Sequence, residues 1–312
     1  MLEHLFLIFN MSHIWSREQI KMIDKGTPVD IDSHSTRTQN DPTNTPTTKQ
    51  TARIKTDAVM FVPTPVEWRD RRRHVYKQFE REGWQPHQVT LIFVYGTREG
   101  EELTEVVNTS SVEQYPLAVN LMTNCRDMDR GQEYNNPSDT SATTCKVYMA
   151  LKHIGETYDA RYVWRGADDS YVNLRYFFAS VIHTIPTQRL FMGHLRKADT
   201  IQSDLLLEHQ PRLRELYGLY QFGQYMLGMG FLFSFDVVQF ISALTIPPHL
   251  GWCEDVMVGM WLNPFQITFM HHRGFVSPRD YPVQPGRDYL LIHYMEPEQW
   301  ERIGDDGRMI VA

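Results

Sequence analysis

The 312-residue sequence has few cysteines, no excess of basic charge and no long apolar run, and each absence excludes a class of protein. Its three cysteines, Cys125, Cys145 and Cys253, show no CxxC spacing, which excludes a zinc ribbon and a dense disulfide scaffold. The formal net charge of −7 argues against a nucleic-acid-binding protein, since such proteins are normally basic. No segment reaches the roughly 20 consecutive apolar residues of a membrane-spanning helix. A hydrophobic content of 42% is nevertheless ample for a large core.

These features leave the cellular compartment open. An odd number of cysteines allows one disulfide and one free thiol. Two triplets, beginning at Asn10 and Asn108, match the N-glycosylation pattern of proteins in a secretory lumen. The apolar run from Leu5 to Phe9 is too short for an anchor and follows acidic Glu3 rather than basic residues. We therefore expect membrane association only if a longer precursor carries an N-terminal anchor.

The N-terminal part of the chain differs in composition from the rest. Residues 25–56 are rich in Thr, Ser, Asp, Asn and Pro and show almost no apolar periodicity. A segment of this composition cannot bury enough apolar surface to offset the entropy lost on folding. We therefore predict a flexible stem over residues 1–56 and a single folded domain over residues 57–312.

From residue 57 onward, apolar runs typical of strands alternate with segments of helical periodicity. The predicted strands are Ala58–Val62, Val89–Gly96, Leu117–Leu121, Tyr162–Trp164, Arg189–Leu195, Gly228–Phe235, Ile267–Met270 and Tyr289–Ile292. The predicted helices are Glu67–Glu82, Glu101–Asn108, Thr140–Glu156, Asp236–Leu244 and Pro297–Ile303. Nearly continuous apolar strands separated by helices indicate an α/β fold with a mostly parallel sheet covered on both faces.

Two adjacent carboxylates, Asp168 and Asp169, follow the predicted strand Tyr162–Trp164. In an α/β sheet, ligands bind beyond the carboxyl ends of the strands. Two carboxylates are costly to bury there unless a positive group neutralises them, and a divalent cation carried by a phosphorylated ligand does so well. The alternative is that these residues turn the chain and cap the helix that follows.

A second acidic pair, Glu254 and Asp255, precedes a segment of helical spacing. Acidic residues at a helix N-terminus are stabilised by the helix dipole, which is the structural explanation for the pair. The functional explanation is a general base that faces a cleft. Two acidic pairs at predicted strand or loop ends favour one shared site.

Several glycines and basic residues are further candidates. Gly228 and Gly230 lie in an aromatic segment, where glycines permit a close approach to a ligand but equally mark turns or bulges. Their spacing is neither a dinucleotide fingerprint nor a P-loop. His293 could complete a carboxylate–imidazole metal site with Asp169, and the rival histidines are His271 and His272. A basic cluster on the first predicted helix is either a solvated face or a phosphate site, and comprises Arg69, Arg71, Arg72, Arg73 and His74.

Short motifs occur in one order over residues 57–303: Arg72–Phe79, Phe93–Gly96, Thr143–Lys146, Tyr162–Asn173, Tyr225–Asp236, Cys253–Gly259 and His293–Trp300. In this order they resemble the motifs of the beta-1,3-glycosyltransferase family (glycosyltransferase family 31), which includes galactosyl- and N-acetylglucosaminyltransferases. The sequence departs from the family pattern at Tyr76, where the family has an arginine. It departs again at Ala167, where the family has the first of three consecutive acidic residues.

The resemblance implies a GT-A fold, in which a Rossmann-like α/β sandwich is fused to an acceptor-binding part. It implies that Asp169 and His293 hold Mn²⁺ or Mg²⁺, and that a UDP-sugar is the donor. It implies that Asp255 is the general base, with Glu254 as the rival. The residues that would contact the donor are Asp168, Arg72, Arg73, Lys146, Gly228 and Gly230.

The reaction implied by the resemblance is inverting transfer of galactose or N-acetylglucosamine from a UDP-sugar to a hydroxyl of a glycan, glycoprotein or glycolipid acceptor. The new linkage would be beta, with beta-1,3 expected, and the compartment would be the Golgi or secretory lumen. One alternative is a catalytically silent carbohydrate-binding relative that lost turnover with Ala167. Another is a metal-dependent phosphohydrolase that uses the two acidic pairs and no acceptor.

Overall fold

A computed structural model describes residues 52–97, 114–127, 141–197, 223–245, 248, 250–251, 253–277, 283–284, 286–304 and 308. The strands are β1 (Ile54–Lys55), β2 (Ala58–Pro63), β3 (Val89–Thr97), β4 (Ala118–Arg126), β5 (Tyr158–Asp159), β6 (Tyr162–Gly166), β7 (Tyr171–Val172), β8 (Leu190–Lys197), β9 (Gln224–Ser234), β10 (Thr268–His271), β11 (Phe275–Val276) and β12 (Leu291–Ile292). The helices are α1 (Arg69–Glu82), α2 (Ala142–Thr157), α3 (Leu174–Ala179), α4 (Phe235–Ser242), α5 (Glu254–Leu262) and α6 (Pro297–Trp300), with a 3₁₀ turn at Val181–His183. The predicted helix Glu101–Asn108 and both N-glycosylation triplets lie outside the described residues.

The central sheet has seven strands in the order β10-β8-β9-β6-β2-β3-β4. Strands β6, β2, β3 and β4 pair in parallel, and β10 pairs in parallel with β8. Strand β9 runs antiparallel to both of its neighbours, β6 and β8. Because β9 is reversed, the residues at its beginning lie at the sheet edge where β6 ends.

Both faces of this sheet are buried, which explains why its strands are almost continuously apolar. Along β2, Met60 and Val62 belong to one hydrophobic cluster, and Val59 and Phe61 belong to the other. The first cluster includes residues of α1, α3 and a small sheet of order β11-β12-β7. The second includes residues of α2, α4 and α5. The predicted α/β architecture, with a mostly parallel sheet covered on both faces as expected for a GT-A fold, is confirmed.

Helix α1 ends, and helix α2 begins, at residues whose local chemistry suits these positions. Gly83 follows α1 in the left-handed conformation, with φ of 74°, and its amide donates to the Glu80 carbonyl oxygen. Ser141 caps α2 by accepting a hydrogen bond from the Thr144 amide. These two helices belong to the hydrophobic clusters on opposite faces of the sheet.

The folded part of the chain begins before residue 57, where the sequence predicted that the domain starts. Strand β1 pairs in parallel with β5, with Ile54 opposite Tyr158. The Thr56 amide then donates to the Asp159 carbonyl oxygen at 3.1 Å. The described residues from Arg53 onward form one compact unit. Residues 1–51 of the predicted stem lie outside the described part of the chain.

A disulfide joins Cys125, at the end of β4, to Cys145, in the first turn of α2, with the two Cα atoms 5.7 Å apart. Cys253 remains a free thiol. The sequence allowed one disulfide and one free cysteine, and the structure identifies the pair. Within the described ranges, none of the helices is long and apolar enough to span a membrane.

Candidate functional site

The candidate site lies at the carboxyl edge of the central sheet. Thr64 follows β2, Asp127 follows β4, and Asp168 and Asp169 follow β6. The reversed strand β9 brings Gly228 to the same edge, because Gly166 at the end of β6 pairs with Gly230. Polar groups from separate elements thus converge where an α/β sheet binds its ligands.

Asp168 is buried, and its carboxylate is held by Thr64, which follows β2, and by Arg71 of α1. Its Oδ2 accepts a hydrogen bond of 2.8 Å from the Thr64 hydroxyl, and its Oδ1 lies 3.4 Å from Arg71 Nη1. Burial raises the pKa of this carboxyl, partly offset by the Thr64 hydrogen bond. Thr64 is fully buried, and it is a site residue that the sequence analysis missed. A hydroxyl residue directly after an apolar strand is the signal that could have indicated it.

Asp169 is more accessible than Asp168 and forms a carboxylate–imidazole pair. Its Oδ1 lies 3.2 Å from His293 Nδ1, and its Oδ2 lies 3.3 Å from Arg71 Nη1. Burial raises the pKa of this carboxyl, but the hydrogen bond and charge of His293 outweigh it, so the pKa is lowered overall. Ser170 Oγ contacts the same imidazole nitrogen at 2.8 Å and donates to the Met229 carbonyl oxygen. Ser170 therefore fixes the ring relative to β9.

Three consecutive arginines of α1 occupy three different environments. Arg71 contacts both acidic residues, and its guanidinium lies 4.5 Å from the centre of the Trp68 ring. Arg72 is fully buried and donates to the Pro65 and Val66 carbonyl oxygens, so it holds the segment that follows β2. Arg73 is exposed and pairs with Asp70 at 3.4 Å.

Successive helical residues point about 100° apart, so only one arginine of the three can face the acidic pair. The resemblance implied that Arg72 and Arg73 contact the donor. The structure brings Arg71 to the acidic residues and directs Arg73 to the exposed side of α1, and the donor contacts of Arg72 and Arg73 stay a prediction. Arg71 had been considered only as part of the basic cluster.

Lys146 is buried and connects two strand ends. Its ammonium lies 2.5 Å from Asp127 Oδ1 and 3.5 Å from the Thr64 carbonyl oxygen. Asp127 in turn accepts a hydrogen bond from the Gly96 amide. The disulfide Cys125–Cys145 joins the same two segments, because each cysteine is within two residues of one partner of this ion pair. Lys146 therefore supports the loop that carries Thr64.

Glu254 is buried at the start of α5 and pairs with Arg165 of β6. Arg165 Nη2 donates to Glu254 Oε2 at 2.9 Å, and Arg165 Nη1 donates to the Gly228 carbonyl oxygen at 2.6 Å. Burial raises the pKa of Glu254 to about 7 despite the arginine charge, which lowers it. Glu254 Oε1 is buried without a hydrogen-bond partner. The sequence analysis missed Arg165, which lies among apolar residues of a buried strand.

Asp255 is only partly buried and is oriented by backbone groups. Its Oδ2 accepts a hydrogen bond of 2.9 Å from the Gly228 amide, and its Oδ1 accepts one from the Val256 amide. The thiol of Cys253 lies 3.1 Å from the same Oδ1, and Cys253 has a left-handed backbone with φ of 68°. Burial raises the pKa of this thiol. Asp255 is thus the member of the pair that can face a ligand.

Gly228 and Gly230 pack against protein atoms in the structure. A Cβ on Gly228 would lie 3.4 Å from Asp255 Oδ2, and one on Gly230 would lie 2.4 Å from a Leu291 methyl group. Gly230 also has φ of 144°, which favours glycine. Both glycines therefore permit close packing around the acidic residues.

The rival histidines lie away from Asp169. His271 Nδ1 accepts a hydrogen bond from the Leu195 amide, and His272 Nδ1 accepts one from the Gly274 amide. His271 is the last residue of β10, an edge strand of the sheet, and His272 follows it. Of the three histidines considered, His293 is the one that contacts Asp169.

The donor set of Asp169 and His293 fits a divalent cation that is completed by a ligand. Neighbouring ligands of an octahedral cation lie about 3 Å apart when metal–ligand bonds are about 2.1 Å long. The distance of 3.2 Å between Asp169 Oδ1 and His293 Nδ1 is close to this value. Among the described residues, no group of three or more His, Cys, Asp or Glu side chains could hold a metal ion. Phosphate oxygens and water would therefore complete the coordination shell.

Comparison with known proteins adds sequence evidence. The family model Galactosyltransferase matches residues 70–273. Beta-1,3-galactosyltransferase 1 of Mus musculus is 26% identical over 167 residues, which cover 52% of this chain and 51% of that protein. N-acetyllactosaminide beta-1,3-N-acetylglucosaminyltransferase 4 of Homo sapiens is 25% identical over 232 residues, which cover 70% of this chain and 61% of that protein. The chain thus spans about half the length of the first of these relatives.

Among solved structures, galactosyltransferase LgtC in complex with donor and acceptor sugar analogs matches with a TM-score of 0.42 and 9% sequence identity. The match covers 77% of this chain and 87% of LgtC.

Proposed function

Because the chain belongs to the Galactosyltransferase family, we propose that it transfers a hexose from a UDP-sugar to a hydroxyl of a glycan acceptor. The hexose is galactose or N-acetylglucosamine, which are the sugars in the names of the similar proteins. The configuration at the anomeric carbon inverts, and the product carries a beta linkage, with beta-1,3 expected. The acceptor is a free glycan, a glycoprotein or a glycolipid.

The observation that supports this proposal is the convergence of the two acidic pairs at one strand pairing. Asp168 and Asp169 follow Gly166, which pairs with Gly230. Asp255 accepts a hydrogen bond from Gly228, two residues before Gly230. One acidic pair is suited to the diphosphate side of a donor and the other to the acceptor side, which is the division of roles that glycosyl transfer requires.

On the donor side, Asp169 and His293 are the residues that would hold Mn²⁺ or Mg²⁺. The bound cation would neutralise the charge that develops on the leaving UDP. Asp168, which is buried and hydrogen-bonded to Thr64, would stabilise this edge of the donor pocket. Arg72 and Lys146 support the segment after β2 from beneath, through backbone carbonyl oxygens.

On the acceptor side, Asp255 would accept the proton of the attacking hydroxyl. Its carboxylate is partly exposed and is fixed by the Gly228 and Val256 amides. Glu254 is the rival base, but its carboxylate is buried against Arg165. A single displacement inverts the anomeric configuration, so no enzyme nucleophile is needed, by analogy with inverting glycosidases.

We further propose that the protein works in the Golgi or another secretory lumen. The disulfide Cys125–Cys145 supports this proposal, since disulfides form and persist in oxidising compartments and are rare in the cytosol.

The test is UDP release from UDP-galactose and UDP-N-acetylglucosamine, with and without Mn²⁺, in the presence of a panel of β-galactosides. We expect release with one donor that depends on both cation and acceptor, and loss of Mn²⁺-dependent UDP binding in D169A. Binding without release by the native protein would favour the silent carbohydrate-binding relative. Unchanged Mn²⁺-dependent UDP affinity in D169A would contradict the assigned metal ligand.

A further inference from the structure

We propose that Arg71 is an internal counter-cation that occupies the acidic pair in the absence of donor and makes binding of the divalent cation depend on the nucleotide. The proposal rests on the proposed function, because it concerns the same cation site. Arg71 Nη1 lies 3.4 Å from Asp168 Oδ1 and 3.3 Å from Asp169 Oδ2. One guanidinium nitrogen thus bridges both carboxylates that face the site.

The position of Arg71 competes with a metal ion for the charge of the same carboxylate group, because Arg71 contacts Asp169 Oδ2 while Asp169 Oδ1 faces His293. The N–H groups of a guanidinium and a divalent cation both need the carboxylate lone pairs. Two ionised carboxylates carry two negative charges, and Arg71 neutralises one of them. A dication added beside Arg71 would leave three positive charges against two negative ones, and like charges at this distance repel strongly. The metal ion therefore binds weakly while Arg71 stays in place.

A diphosphate removes this conflict in two ways. Its oxygen atoms complete the coordination shell of the cation, and its negative charge offers Arg71 a new partner. Arginine binds phosphate well because its planar donors can form two parallel hydrogen bonds. Nucleotide and cation thereby each strengthen the binding of the other, and such coupling is reciprocal.

The surroundings of Arg71 allow it to change partners. Its side chain is 41% exposed, whereas those of Asp168 and Asp169 are only 5% and 15% exposed. The Trp68 ring, 4.5 Å from the guanidinium, supports it from the N-cap position of α1. Its neighbour Arg72, in contrast, is fully buried and fixed by carbonyl oxygens. Arg71 is therefore the arginine of this helix that can leave the acidic pair without disturbing the core.

The substitution at the start of the acidic motif increases the effect of Arg71. Ala167 stands where the resembling family has a third acidic residue, so this chain brings one negative charge fewer to the site. With two carboxylates instead of three, a single arginine neutralises a larger share of the charge available to a cation. Coupling between nucleotide and cation is expected to be correspondingly strong.

The experiment measures Mn²⁺ binding directly, from the electron paramagnetic resonance signal of free Mn²⁺, at constant ionic strength and with or without UDP. We compare the native protein with R71M, which keeps an unbranched apolar stem but removes the charged guanidinium. The matched control is R69M, because Arg69 is an exposed residue of the same helix. R71Q serves as the second uncharged variant if R71M does not fold.

For the native protein and R69M, we expect weak Mn²⁺ binding that UDP strengthens. In R71M, binding of Mn²⁺ alone should tighten by on the order of tenfold, and the enhancement by UDP should fall by a similar factor. Equal Mn²⁺ affinities and equal UDP enhancement in R71M and the native protein would overturn the role of Arg71 while leaving the cation site intact. If the native protein binds no Mn²⁺ even with saturating UDP, the proposed cation site itself is wrong, and the inference falls with it.

Discussion

At the scale of single residues, the two members of the second acidic pair have different environments although they are adjacent. Glu254 is buried and paired with Arg165, whereas Asp255 is partly exposed and held by backbone amides. Adjacent helical side chains leave the axis about 100° apart, which explains the difference. The partly exposed carboxylate is the one that we propose as the base, and the buried one pairs with Arg165 and connects α5 to β6.

The first prediction distinguishes these roles by isosteric substitution. D255N keeps the shape of the side chain and an oxygen for one of its two backbone hydrogen bonds, but it cannot accept a proton at neutral pH. We expect UDP-sugar binding to persist while turnover falls by about 10²–10⁴-fold, the usual contribution of a positioned base. Steady-state rates together with UDP affinity check this. The same loss in E254Q, with D255N close to native, would assign the base to Glu254.

The second prediction concerns the pH dependence of stability that Glu254 causes. Its pKa is raised from 4.5 to about 7 in the folded protein. Between these two pH values, the folded state therefore keeps a proton that the unfolded state has released. The free energy of unfolding should therefore fall as pH rises from about 4.5 to about 7, and this contribution should be absent in E254Q. Urea denaturation of both proteins across this range measures the difference. A native protein that gains stability relative to E254Q over this range would contradict the burial argument.

At the scale of structural elements, strand β9 determines how the site is assembled. It pairs antiparallel with β6 and β8, and its middle carries Gly228 and Gly230 to the site. Gly228 accepts from Arg165 at its carbonyl oxygen and donates to Asp255 at its amide. One residue of β9 thereby connects Asp255 directly, and Glu254 through Arg165, to the central sheet.

The third prediction compares alanine at the two glycines of β9. In G230A, the new methyl group would meet Leu291 and the Arg165 carbonyl oxygen, at a φ of 144° that alanine disfavours. We expect a loss of more than about 2 kcal/mol in the free energy of unfolding. G228A is the matched control, because its nearest contact is 3.4 Å, and it should cost less than about 1 kcal/mol. Equal losses in both variants would show that packing against Leu291 and Arg165 is not decisive.

At the scale of the whole molecule, the disulfide is a covalent link between β4 and α2 next to the site. The two cysteines are 20 residues apart, and closing a loop of this size lowers the entropy of the unfolded chain.

The fourth prediction is that C125S/C145S loses about 3 kcal/mol of stability. Thermal or urea denaturation under oxidising conditions checks this, with C253S as the control for loss of a thiol. If the double variant and C253S unfold alike, the cross-link contributes no stability.

Much of the fold follows from local patterns in the sequence. Apolar runs such as Val89–Gly96 predict buried strands, and the observed strand Val89–Thr97 differs by one residue. Asp168 and Asp169 could be placed at a strand end because the apolar run stops immediately before the turn that carries them. The direction of β9 could not be predicted, because an apolar run has the same composition in either orientation.

The contacts within the site were harder to predict than its acidic residues. Arg71 and Arg73 have the same chemistry, and only the phase of α1 about its axis decides which one meets Asp169. Arg165 lies inside an apolar strand, where sequence alone does not show that a buried glutamate will pair with it. The disulfide partners depend on how β4 and α2 pack, which the number of cysteines does not determine.

The pairing of β6 with β9 fixes the distance between the two acidic pairs. Gly166 opposes Gly230, and the acidic residues lie a fixed number of positions from that pair. A one-residue insertion in β9 would turn every following side chain to the opposite face of the sheet, which the buried core on both sides does not tolerate. Under the proposed function, the sheet sets the distance between the donor side and the acceptor side of the site, and differences in acceptor preference are expected in segments outside the sheet.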